Sequence, residues 1–269
     1  MIGVNADEVI RRLAERPAST GIFTDFDGTL SVTVPDPESA QPAAGAVEAL
    51  GGLARIFAEV AVISGRPAQW LAARLALDQG DGLELFGLHG LERWTGTAAE
   101  PVEAARSFIG LVERARDEAV AAAIDGLFVE DKVLGLTLHW RRAEDPTATG
   151  EKVMKLAGAL ARSTGLVLQP GKASIELVLP IGIDKGTVVR ERGMGLGDVA
   201  FLGDDLSDVL AFDALDDLAA RGVAVTRIAV AGSEAPAELI ERADLVLGDP
   251  TESVHFLAAL AEAAEGASV

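Results

Sequence analysis

The chain of 269 residues contains no cysteine, which excludes disulfides, thiol catalysis and thiolate-ligated metals. Its three histidines, His89, His139 and His255, share no metal-ligand spacing, and His255 suits the surface of a helix. Basic residues are few beside acidic ones: 23 Lys and Arg against 42 Asp and Glu leave a formal charge of -19. Such a surface repels nucleic acid and anionic membranes, so neither is expected as a partner. No apolar run approaches the length of a membrane span, and the segment from Met1 to Thr20 carries Asp7, Glu8 and several arginines where a signal peptide needs an apolar stretch. A cytoplasmic protein is the expectation.

What is present is a large apolar fraction, 49%, enough for a substantial core, on a length that suits two domains. The organising stretch is GIFTDFDGT, Gly21 to Thr29. Side chains alternate along a strand, so Asp25 and Asp27 fall on one side where the strand runs into a glycine turn. Taken alone, DxDG also describes a strand ending in an Asx turn. Converging carboxylates repel unless a proton or a cation lies between them, which points to metal binding or acid/base work. A calcium loop is excluded, because counting from Asp25 its sixth position needs glycine and the chain has Leu30.

Apolar spacing at Val47, Leu50, Ala54 and Phe57 predicts a helix, and Val60 to Ile63 predicts a strand ending in Ser64-Gly65-Arg66-Pro67. Leu83 to Leu88 reads as a third strand. Strand and helix alternating in this way predict a parallel, doubly wound sheet whose ligands collect at the carboxyl ends of the strands. From about Thr95 the pattern changes. One long helix with Val102, Ala105, Ile109 and Val112 on a face precedes two strands, and a helix from Thr147 to Ser163 precedes two more. In these strands Leu136, Leu138, Ile175 and Leu177 alternate with polar residues, which predicts an α+β layer with an open polar face. The first pattern resumes at Asp184-Lys185-Gly186, so the layer, residues 95–181, is an insertion into a discontinuous core of residues 1–94 and 182–269.

Two nucleotide-like motifs fail on context. GMGLG, Gly193 to Gly197, precedes a strand instead of following one, and Gly171-Lys172 lacks the spacing of a phosphate loop. What remains is a set at strand ends and helix starts: Asp25, Asp27, Ser64, Lys185, Asp204 and Asp208. Carboxylates, one lysine and one hydroxyl supply what phosphoryl transfer needs.

DFDGT, the ISGR ending at Arg66, the DKG around Lys185 and GDDLSD from Gly203 to Asp208 resemble the four ordered blocks of haloacid dehalogenase-type phosphatases, and the inserted layer resembles their type-2 cap. GLHGLE from Gly87 to Glu92, LHWR ending at Arg141 and GKxxxE from Gly171 to Glu176 are similar to trehalose-6-phosphate phosphatases within that superfamily. The resemblance implies a Rossmann-like core and an aspartyl-phosphate mechanism, with Asp25 as nucleophile and Asp27 as acid and base. Ser64 and Lys185 would hold the phosphate. It implies Mg²⁺ on Asp25, the Asp27 carbonyl and Asp204, with Asp205 and Asp208 ordering its waters. It also implies sugar recognition by Arg66, His89, Glu92, Lys132, His139, Arg141, Lys172 and Glu176, and a monomer acting on a small sugar phosphate. Hinge closure near Trp94 and Ile181 is expected of an inserted domain. Ser207, Val209 and Val178 depart from the trehalose-phosphatase pattern, which leaves other glycosyl phosphates open as substrate. A phosphomutase or a non-catalytic sensor on the same fold are the alternatives from other classes.

Overall fold

The computed structural model describes residues 5–34, 36–75, 82–232 and 235–267. Its contacts divide the chain into two compact units, Met1–Glu100 with Ile183–Val269, and Pro101–Gly182.

In chain order the elements of the first unit begin with α1 (Ala6–Ala14), β1 (Thr20–Thr24), α2 (Ala46–Ala54), β2 (Glu59–Ile63), α3 (Ala68–Leu75), β3 (Leu83–Gly87), β4 (Glu92–Trp94) and β5 (Ala99–Pro101). The second unit carries α4 (Glu103–Arg106), α5 (Ile109–Ala121), β6 (Phe128–Asp131), β7 (Gly135–His139), α6 (Pro146–Thr164), β8 (Val167–Gly171) and β9 (Ser174–Val178). The chain returns to the first unit with α7 (Lys185–Gly193), β10 (Asp198–Gly203), α8 (Val209–Ala219), β11 (Ala224–Val230), α9 (Ala237–Arg242), β12 (Leu245–Leu247) and α10 (Pro250–Ala267).

The strands of the first unit form one sheet in the order β12-β11-β10-β1-β2-β3-β4-β5. From β12 to β3 every pairing is parallel, and β4 returns antiparallel to β3. All five residues of β1 are buried. Ile22 belongs to an apolar cluster with Leu50 and Leu202, and the next residue, Phe23, to a second with Phe201 and Phe212. Alternate residues thus feed cores on opposite faces, the pattern of a sheet covered on both sides. From β1 the chain progresses to β2 and β3 on one side and from β10 to β11 and β12 on the other. The carboxyl ends of β1 and β10 therefore flank the switch point where ligands of such sheets bind.

The second unit is a four-stranded antiparallel sheet in the order β6-β7-β9-β8. Leu136 pairs with Leu177 and Leu138 with Ile175, and all four are buried, as are Val112 and Ala115 of α5 and Val153 and Ala157 of α6. The helix expected to carry Val102 through Val112 is two helices, α4 and α5, broken at Ser107 and Phe108. Helix α6 is fixed at both ends: Pro146 occupies its first turn, Asp145 accepts the N–H groups of Thr147 and Ala148, and Gly165 closes it at φ 76°.

Candidate functional site

Asp25 follows β1, with its N–H donating to Leu202 O at 2.9 Å, so the strand pairing with β10 fixes the backbone on which the carboxylate stands. Beyond it, Gly28 takes φ 76°, and a Cβ there would lie 1.9 Å from Asp204 Oδ2. Only glycine admits both the left-handed backbone and this approach. Asp204 follows β10 and accepts from Thr29 Oγ1 at 2.9 Å. One turn of chain thus brings Asp25, Gly28 and Thr29 against Asp204.

Lys185 begins α7, whose start is set by a capping box between Asp184 and Thr187. A Cβ on Gly186 would lie 2.2 Å from Leu210 O, so glycine is what lets α7 approach α8 closely enough to bury the lysine. Lys185 is 2% exposed, and its Nζ lies 3.0 Å from Asp25 Oδ1 and 2.6 Å from Asp208 Oδ1. The other oxygen of Asp208 accepts the N–H groups of Asp204 and Asp205 at 2.9 and 3.0 Å. Asp208 is consumed by these bonds and orients the loop.

Burial dominates the electrostatics. It pushes Asp25 up to about 6 against the pull of Lys185, and Asp204 up to about 7 against the Thr29 hydroxyl. Asp208 rises to about 7, with burial first and the charge of Asp25 adding to it. Burial works against the charge of Lys185, and Asp25, Asp208 and Asp205 together outweigh it, so its pKa is raised. Carboxylate oxygens of Asp25, Asp204 and Asp208 lie within 4.8 Å of one another. An all-oxygen donor set with excess negative charge and one buried ammonium suits a hard divalent cation.

Asp27 stands apart from that cluster. Arg66 holds it bidentately, Nε and Nη2 each 2.7 Å from a carboxylate oxygen, and gives its remaining Nη1 to Pro37 O at 2.8 Å. The guanidinium expected to meet substrate is thus paired with Asp27 of the β1 loop. Ser64 is buried at the end of β2 and accepts the Arg66 N–H at 3.2 Å. His89, in a left-handed conformation at φ 58°, sets its ring against Gly65 and donates its N–H to Ser64 O at 2.8 Å. Glu92 is 2% exposed, and its Oε1 accepts the N–H of Ala68 at 2.5 Å. Its carboxylate caps the start of α3.

In the second unit the pairings Glu130 with Thr137 and Thr137 with Glu176 put these residues on one sheet face. Lys132 Nζ lies 3.4 Å from Glu176 Oε1, and His139 Nε2 lies 2.7 Å from Glu130 Oε2. Thr137 Oγ1, flanked by both glutamates, is buried with no hydrogen-bond partner among the described residues. A cavity of about 470 Å³ in this unit is lined by Gly126, Phe128, His139, Arg141 and Arg142. Arg141 donates to Lys172 O at 2.9 Å, so these two meet at the exposed turn between β8 and β9. Sequence reasoning missed Glu130 and Thr29. Alternation along Phe128–Asp131 would have found the first; for the second, the motif was visible but its partner, 175 residues away, was not.

The sequence pattern of the family described as Trehalose-phosphatase matches residues 23–242. The chain is 37% identical over 224 residues to a trehalose-phosphate phosphatase of Mycobacterium ulcerans, covering 78% of this chain and 53% of that protein. It is 34% identical over 258 residues to a trehalose-phosphate phosphatase of Mycolicibacterium paratuberculosis, covering 91% and 62%. The chain therefore spans about half to three-fifths of these relatives' length. Among solved structures, Aspergillus fumigatus trehalose-6-phosphate phosphatase superposes with a TM-score of 0.67 at 24% identity, over 97% of this chain and 98% of that one; this likeness establishes the fold.

Proposed function

The chain belongs to the trehalose-phosphatase family, and from that premise we propose that it is a magnesium-dependent phosphatase releasing trehalose and phosphate from trehalose 6-phosphate. The observation that carries this reading is Asp25: a buried carboxylate at the end of β1, held by Lys185 and grouped with Asp204.

Asp25 attacks phosphorus, forming an aspartyl-phosphate as the bond to the sugar oxygen breaks, and Asp27 gives that oxygen its proton. Water then attacks the same phosphorus, Asp27 takes its proton, and the acyl-phosphate bond breaks to restore Asp25. Ser64 Oγ and Lys185 Nζ donate to the phosphate oxygens. Asp25, Asp204 and the Asp27 carbonyl would hold Mg²⁺, which when bound supplies charge stabilisation for the phosphate and the attacking carboxylate. Asp208 and Asp205 keep the Asp204 loop in place.

The polar face of the second unit is the sugar-recognition surface in this reading. Glu130, Lys132, His139 and Glu176 pair with each other there, and the orphaned Thr137 hydroxyl is a group that a polyol could satisfy.

The test is phosphate release from a panel of sugar phosphates, with Mg²⁺ and with EDTA, and with Asp25→Asn as control. Magnesium-dependent release favouring trehalose 6-phosphate and absent from the variant is the expected result. Preference for another glycosyl phosphate would keep the chemistry and replace the substrate, and no release from any would return the mutase and sensor readings.

A further inference from the structure

Trp70 and Arg74 lie one turn apart on α3, and Arg66 lies in the turn just before that helix. The Arg66 guanidinium lies 4.6 Å from the Trp70 ring centroid and that of Arg74 lies 4.4 Å from it. Both distances are within the range of a cation over an aromatic face. The indole is itself fixed: Nε1 donates to Glu38 Oε2 at 3.0 Å, and Phe26 meets the ring edge-on at 5.5 Å. Arg74 donates to Glu38 O at 2.9 Å, while its Nε is buried with no partner among the described residues. The ring and Glu38 are therefore what hold Arg74 in place.

Asp27 needs such support more than its neighbours do. Its side chain is 33% exposed, whereas Asp25, Asp204 and Asp208 are buried in their cluster. Rotation of an exposed carboxylate is opposed here by one bidentate partner, Arg66, whose guanidinium lies against the Trp70 ring. We propose that Trp70 is a positioning residue for the proton-transfer step: clamped by Glu38 and Phe26, it orients Arg66, which aims the Asp27 carboxylate at the leaving-group oxygen. This rests on the reading of Asp27 as the acid. A group misplaced by about 1 Å can cost about 100-fold in rate even when the mutated residue is remote from the chemistry.

The experiment compares kcat/KM for trehalose 6-phosphate with kcat/KM for p-nitrophenyl phosphate, whose leaving group departs as a stable anion without a proton. The ratio is measured in wild type, Asp27→Asn, Trp70→Leu and Trp70→Phe. Expected are a ratio lowered by about 100-fold or more in Asp27→Asn and by about 10-fold in Trp70→Leu, in keeping with the span of general-acid effects. Trp70→Phe keeps an aromatic face for Arg66 and should recover most of the Trp70→Leu loss. Partial unfolding lowers both substrates alike and leaves the ratio unchanged, so a poorly folded variant still gives a decision. A ratio that falls in Asp27→Asn and stays at the wild-type value in Trp70→Leu overturns the positioning role alone. A ratio unchanged in Asp27→Asn removes the acid assignment and this proposal with it.

Discussion

The Nζ of Lys185 lies 3.0 Å from Oδ1 of Asp25, inside a site where both side chains are withdrawn from solvent. Together with Asp208 at 2.6 Å, this makes one ammonium the counter-charge of two buried carboxylates. Removing one member of such a group leaves uncompensated buried charge, which costs about 3–5 kcal/mol. Lys185→Met should lose turnover and that order of stability near neutral pH, read from urea denaturation. A loss below about 1 kcal/mol, the scale of an exposed pair, would show that water reaches the site.

Gly28 gives a sharper test of the metal site, because it touches Asp204 without supplying a donor of its own. Gly28→Ala would force a Cβ into the space of the Asp204 carboxylate and strain a φ of 76°. The thermal midpoint of wild type should rise with added Mg²⁺, since a ligand at a hundred times its dissociation constant stabilises by about 2.7 kcal/mol. That rise should vanish in Gly28→Ala and in Asp204→Asn. A rise retained in both would place the ion elsewhere.

Burial raises the pKa of Glu92, partly offset by the Ala68 N–H. The folded protein then holds this proton more tightly than the unfolded chain, so stability contributed by the protonated form is lost as pH climbs from the ordinary glutamate range through the raised value. Glu92→Gln keeps an oxygen for Ala68 and removes the charge. Its stability should fall less than that of wild type as pH climbs above the ordinary glutamate range, with KM for the sugar phosphate unchanged. Glu92→Ala removes the cap as well and should cost about 1 kcal/mol. A raised KM in Glu92→Gln would assign the residue to the substrate site.

On the polar face of the second unit, Glu130→Gln and Glu176→Gln should raise KM for trehalose 6-phosphate by about 10-fold, the equivalent of one hydrogen bond to a charged group. Steady-state kinetics with p-nitrophenyl phosphate, which has no sugar, should be unaltered. Equal effects on both substrates would make these glutamates structural.

The sequence displayed the core of this arrangement because its signals are local. DFDGT, ISGR, DKG and GDDLSD each join an apolar strand or helix start to a turn, and a parallel sheet brings such ends together whatever lies between them. Partnerships were less legible. Ser107 and Phe108 keep near-helical backbone angles, so the break between α4 and α5 left the apolar spacing intact. The last two strands of the sheet, β4 and β5, are three residues each and owe their form to pairing within it. Arg66 and Glu92 were recognisable as polar residues near the site, but choosing Asp27 for one and Ala68 for the other required the fold. Nothing in the local sequence around Glu92 names a helix start 24 residues earlier as its ligand.

The pairing of β1 with β10 also sets an order of events during synthesis. Thr20 is matched to Asp198 and Thr24 to Leu202, so the strand bearing Asp25 lacks one neighbour until the whole inserted unit has left the ribosome. Through that interval β1 presents an open apolar edge, the kind of surface that chaperones shield and that nascent chains aggregate through. The insertion, by contrast, is contiguous and can satisfy its own strand pairings first. Nascent-chain proteolysis should therefore find the insertion protected before the sheet that encloses it in sequence.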